Sequence, residues 1–162
     1  MSDSQSVRSA DGTAIALERT GRGSTLVMVN AAGTFRGMDP MAGLGEHLAE
    51  HFNVVRYDRR GRGESGNAAA YTIEREVEDL DAVIREAGGT ALVYGVSSGA
   101  ALALEAANRR LPITKLVLYE APFMVDDTRT PMPGDFMARV ESALSAGDRG
   151  RAVKLFMGLV EV

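Results

Sequence analysis

The chain has 162 residues, 45% hydrophobic and 25% charged, with a formal net charge of −4 and no cysteine. That length suffices for one domain with its own core, and the composition is that of a water-soluble globular protein rather than a disordered or membrane one. The acidic balance offers no basic stripe for nucleic acid, and the missing cysteines exclude a disulfide framework and a thiolate nucleophile.

Residues 1–12 are polar and contain no apolar signal core, so a cytoplasmic protein without a membrane or nucleic-acid partner is expected. Residues 13–18 alternate in polarity between glycines and predict a half-buried antiparallel strand, with 6–8 as its partner. The continuous apolar run 26–29 reads as a strand covered on both faces, ending in the loop 30–37. Asp39 and Pro40 then suit a helix start, with Met41, Leu44 and Leu48 at helical spacing up to about His51.

Residues 53–57 supply the next strand, followed by the loop DRRGRGESG at 58–66. Thr72 caps a helix whose stripe is Ile73, Val77, Leu80, Val83, Ile84 and Ala87. Its charges Glu74, Arg75, Glu76, Glu78 and Asp79 are read as the solvated face. Residues 91–94 form a strand, 95–99 a tight turn and 100–110 a helix ended by Pro112. A wholly apolar strand at 116–119 precedes a proline-containing loop between Pro122 and Pro133. Two helices then follow, carrying Phe136, Val140 and Leu144, and Val153, Phe156 and Val160, with Gly147 between them.

Strand and helix alternation implies an α/β fold with a mostly parallel sheet, whose chemistry sits at the carboxyl ends of the strands. Gly95-Val96-Ser97-Ser98-Gly99 occupies one such end and matches G-x-S-x-G. In that motif a sharp strand-to-helix turn lifts the central serine out of the sheet. Ser97 is the candidate nucleophile, and Ser98 the candidate helix cap beside it. A reacting serine needs donors aimed at the developing oxyanion, each worth about 3 kcal/mol. The turn supplies the Ser98 N–H, and the loop 30–37 is expected to supply that of Ala32. Asp58, Arg60 and Arg62 are expected to brace the intervening loop by charged hydrogen bonds.

Three segments, VMVNAAG at 27–33, YDRRGRGES at 57–65 and YGVSSGA at 94–100, resemble the α/β-hydrolase family in order and spacing, especially its esterase and haloperoxidase-like branch. The resemblance implies an α/β-hydrolase-type sheet with flanking helices over 1–130 and the start of a helical lid over 131–162. It further implies Ser97 as nucleophile, with an oxyanion hole from Ala32 and Ser98. Asn30-Ala31 stands where family members usually carry His-Gly. The family's last strands, with their acid and histidine, have no counterpart, so a fragment that is weakly active or inactive alone is expected.

His47 and His51 lie near the end of a crossover helix, at the sheet edge opposite Ser97, and cannot be its base. Glu120, just after the last strand, is the candidate acid that would orient a histidine from elsewhere. The literal H-x-x-E-H at 47–51 lacks a third metal ligand, and the G-x-G-x-x-G at 61–66 lacks the helix that a dinucleotide site requires. No metal or cofactor is implied. The expectation is a hydrolase of a small ester or related acyl substrate. The alternative is a non-catalytic hydrolase-like module that binds a small ligand. Self-association through the exposed strand 116–119 is also expected.

Overall fold

The computed structural model of the chain describes residues 5–68, 71–126 and 131–160. Contacts divide the chain into two compact units, Met1–Pro122 and Phe123–Val162.

The first unit is built on a six-stranded sheet. Strands β1 (Gln5–Arg8) and β2 (Ala14–Gly21) form an antiparallel hairpin, and β2 continues antiparallel onto β4 (Asn53–Tyr57). From there β4, β3 (Thr25–Val29), β5 (Ala91–Val96) and β6 (Ile113–Tyr119) run parallel, giving the order β1-β2-β4-β3-β5-β6. The apolar run of β3 is buried from Leu26 to Val29, as its central place with helices on both faces requires.

Helices α2 (Ile73–Glu86) and α3 (Ser98–Asn108) cover one face. Val77, Leu80, Val83 and Ile84 of α2 pack with Leu102, Ala103 and Ala106 of α3 against Ile15, Val27, Val55 and Val93. Burying each of the larger of these side chains contributes about 1.5–3 kcal/mol. The short helix α1 (Ala42–Leu48) lies on the other face, where Met41, Leu48 and Phe52 meet Leu26, Met28 and Val54.

Several local expectations need correction. Helix α1 begins at Ala42, so Pro40 is not its first residue and Asp39 is not its cap. Asp39 is otherwise engaged: one carboxylate oxygen accepts from the Met41 N–H at 2.8 Å, and the other pairs with Arg56 at 3.2 Å. Leu44 is partly exposed, and the buried residue of that helix is Gly45. In α2, Thr72 caps as expected, its hydroxyl accepting from the Arg75 N–H at 3.3 Å. Ile73 is exposed, however, while Glu76 and Asp79 are buried and do not belong to a solvated face. They turn inward because two arginines from the 58–66 loop reach them.

Strand β6 closes the order at the sheet edge, with Val117 51% and Tyr119 52% exposed. In the second unit, α4 (Phe136–Ser145) and α5 (Arg149–Val160) meet across Gly147, which takes a φ of 74° that favours glycine. The proline-containing loop falls partly on 127–130, outside the described residues. Among the described residues no helix is long and apolar enough to cross a membrane.

Candidate active site

Ser97 sits between β5 and α3 at φ 51° and ψ −121°, a backbone region that costs a non-glycine residue about 1–3 kcal/mol. Its surroundings over-determine that conformation. The Ser97 N–H donates to the Tyr119 carbonyl at 2.9 Å, and its own carbonyl accepts from Ala100 and Ala101 at 2.9 and 3.2 Å.

Both flanking glycines are sterically required. A Cβ on Gly95 would lie 2.6 Å from the Gly99 carbonyl oxygen and 2.7 Å from the Ala100 Cα. On Gly99 it would run into the Val29 carbonyl and come within 2.7 Å of that of Asn30. The turn is therefore pressed against the end of β3, whose Val29 stands in register with Gly95.

Ser98 is the first residue of α3 rather than its cap. The cap position falls on Ser97, with no side-chain capping bond. The Ser98 hydroxyl instead accepts from Arg59 Nη1 at 2.9 Å. The same nitrogen donates to the Asn30 carbonyl at 3.2 Å, so one guanidinium joins the turn after β5 to the loop after β3. Its remaining nitrogens grip Glu76 of α2 through both carboxylate oxygens. Burial works against the charge of Arg59, but the Glu76 carboxylate more than offsets it and holds the pKa above the ordinary value. Burial would likewise raise the Glu76 carboxyl, and hydrogen bonds from Arg59 pull it below the ordinary value.

The neighbouring Arg60 makes a second buried pair, donating to both oxygens of Asp79 at 2.7 Å and to Asp11 at 3.0 Å. Asp58 accepts from the backbone N–H groups of Arg36 at 2.7 Å and Glu64 at 2.9 Å, tying the 30–37 loop to the 58–66 loop. Arg62 Nη1 donates to the Ala31 carbonyl at 2.9 Å. The bracing set expected at Asp58, Arg60 and Arg62 is thus brought together. Arg59, Glu76, Asp79 and Arg36 were missed by the sequence reading. For Glu76 and Asp79 a signal existed: 76, 77, 79, 80, 83 and 84 share one helical face, so both acids lie on the inward stripe.

Two candidate donors remain. Among the described residues no hydrogen-bond acceptor meets the backbone N–H of Ala32 or of Ser98. The contacts of Arg59 and Gly99 bring the loop and turn that carry them together. Glu120 is exposed, at φ 50°, directly after the residue whose carbonyl receives the Ser97 N–H. It follows β6 as Ser97 follows β5, at the carboxyl ends of these parallel strands, and burial together with the Tyr119 and Glu120 charges raises the pKa of the Tyr94 hydroxyl.

The histidines are elsewhere. The turn 49–52 after α1 packs at the amino ends of β3 and β4, with the Asn53 N–H donating to the Ser24 carbonyl at 3.0 Å. His47 is exposed, 3.9 Å from Glu50, and the described residues contain no group of three or more histidine, aspartate or glutamate side chains placed to hold a metal ion. Segment 61–66 closes on itself through the Gly61 N–H and the Gly66 carbonyl at 2.9 Å and starts no helix.

A family model described as the alpha/beta hydrolase family matches residues 26–160. An alpha/beta hydrolase from Sphaerobacter thermophilus is 51% identical, superposes with a TM-score of 0.91, and is matched over 96% of this chain and 60% of its own. A hydrolase from Pseudomonas aeruginosa is 25% identical with a TM-score of 0.78, over 96% of this chain and 58% of that one. An esterase from Exiguobacterium antarcticum, 24% identical with a TM-score of 0.76 over 94% and 59%, shares the fold. No curated protein matches the sequence. The chain spans about 60% of the length of the solved structures it resembles. With the sheet order, the turn at Ser97 and a family match over most of its length, the chain belongs to the alpha/beta hydrolase family.

Proposed function

We propose that Ser97 is the nucleophile of a hydrolase acting on small esters or related acyl compounds. The observation that carries this reading is the backbone of Ser97, held at φ 51° between two glycines that tolerate no side chain. Strain of this kind persists where the surrounding structure imposes it, and it displays the hydroxyl above the strand ends.

In the proposed reaction the Ser97 Oγ bonds to the acyl carbon and gives its proton to a base. The carbonyl oxygen becomes an oxyanion facing the Ser98 and Ala32 N–H groups. Collapse breaks the bond to the leaving oxygen, which takes up the proton. Water then attacks the acyl group, releasing the acid and restoring the serine.

Neither His47 nor His51 serves as the base, since both belong to the opposite end of the sheet. A histidine from outside these 162 residues fits the reading, with Glu120 as a candidate to orient it. The second reading is a hydrolase-like module that holds a small ligand at this turn without turning it over.

Exposure of the chain to short-chain p-nitrophenyl esters, followed by intact mass and peptide mapping, separates the two. With imidazole added as an external base, the proposal expects acyl transfer through one site per chain at Ser97, and none in Ser97→Ala. Acylation that is equal in Ser97→Ala, or absent from a folded chain, would favour the binding module.

A further inference from the structure

Peptide planarity turns one hydrogen bond of this site into an orientation device. The carbonyl of Ala31 and the N–H of Ala32 belong to the same trans peptide group, so they point in opposite directions. Arg62 Nη1 holds that carbonyl at 2.9 Å. The Ala32 N–H is thereby aimed away from Arg62, and it has no acceptor among the described residues. The preceding peptide is held in the same manner, since Arg59 Nη1 takes the Asn30 carbonyl while gripping the Ser98 hydroxyl.

Two arginines of one loop thus fix consecutive carbonyls of another. Without them, rotation of the Ala31–Ala32 peptide would present a carbonyl oxygen where a donor is needed. That inversion would replace attraction for an oxyanion with repulsion.

We propose that Arg62 is a positioning residue that locks the Ala31–Ala32 peptide with its N–H toward the oxyanion. The proposal rests on Ser97 being the nucleophile and goes beyond it, by naming what keeps the oxyanion donor in place. Arg62 differs from Arg59 and Arg60 in a useful respect. Among the described residues it forms no ion pair with a buried carboxylate, and Glu76, which feels its charge, keeps the direct pair with Arg59 when Arg62 is replaced.

The test compares the unmodified chain with Arg62→Met and Arg62→Lys. Reaction with a fluorophosphonate is followed by mass to obtain a limiting rate and a half-saturating concentration. The Ala31 carbonyl ¹³C and Ala32 ¹⁵N resonances and the melting temperature are measured in parallel. Arg62→Met is expected to lower the limiting rate at least about tenfold, as a displaced catalytic dipole does. Half-saturation and melting temperature are expected to hold, the two resonances to move, and Arg62→Lys to recover part of each change.

An Arg62→Met chain that reacts at the unmodified rate would overturn the proposal. If the unmodified chain does not react even with imidazole as an external base, the Ser97 reading fails separately and the resonances alone decide. Movement of both sustains Arg62 as the lock on that peptide, and unmoved resonances overturn it.

Discussion

The two flanks of the Ser97 turn are built from different materials. Toward α2, the turn leans on buried charge: Arg59 with Glu76, Arg60 with Asp79, and carbonyls of the 30–37 loop held by guanidinium groups. Toward β6 it is held by a backbone hydrogen bond to Tyr119, beyond which lies an exposed strand edge. Buried ion pairs contribute little net stability compared with apolar packing, because desolvating both charges offsets their attraction. Their value here is geometric. A guanidinium offers donors in a fixed planar fork, so it can fix a carboxylate and two neighbouring loops at once, which an apolar side chain cannot do.

The largest expected effect comes from breaking the braced flank. Arg59→Met leaves the Glu76 carboxylate buried and unpaired, and should destabilise the chain by about 3–5 kcal/mol in chemical denaturation. Removing both charges, as in Arg59→Met with Glu76→Gln, should recover much of that loss. The pair also predicts a pH dependence. Because Glu76 titrates below its ordinary value when folded, its contribution is present above the unfolded-state value. It is lost as pH falls through the folded one. Glu76→Gln should therefore flatten the acid limb of a stability–pH curve, and an unchanged slope would remove this pair from the account.

Next in size is the turn itself. Gly99→Ala places a methyl group against the Val29 and Asn30 carbonyls, with an expected cost of about 1–3 kcal/mol or more and a displaced Ser97. The open flank should behave differently. Val117→Lys on β6 should leave unfolding nearly unchanged while reducing the self-association expected of an apolar edge strand, as read by sedimentation velocity. The smallest effect belongs to the exposed Arg109–Glu74 pair. Breaking it with Arg109→Ala, which also removes the Arg109–Glu105 pair, should leave stability nearly unchanged in chemical denaturation.

The same contrast explains what the sequence could disclose. Ser97 and its glycines were legible because a sharp turn forces residue types at fixed local spacing. The parallel sheet was legible because apolar runs recur with helices between them. The buried charges were not, since a glutamate on a helix defaults to solvent unless its partner is known. Arg59 and Glu76 are 17 residues apart in the chain. The same applies to Asp39, which fits a helix cap locally but is claimed by Arg56. Helical phase alone would have flagged Glu76 and Asp79 as inward. Sign complementarity with the paired arginines of the loop would then have named their partners.

The central claim is that this architecture activates Ser97, and reaction with a fluorophosphonate tests it most directly. The chain and Ser97→Ala would be incubated with the probe, with and without added imidazole as an external base, and followed by intact mass. The account predicts one adduct per chain, located at Ser97, formed slowly alone and faster with imidazole, and absent from Ser97→Ala. An adduct that persists in Ser97→Ala, or a folded chain that stays unlabelled even with imidazole, would contradict it.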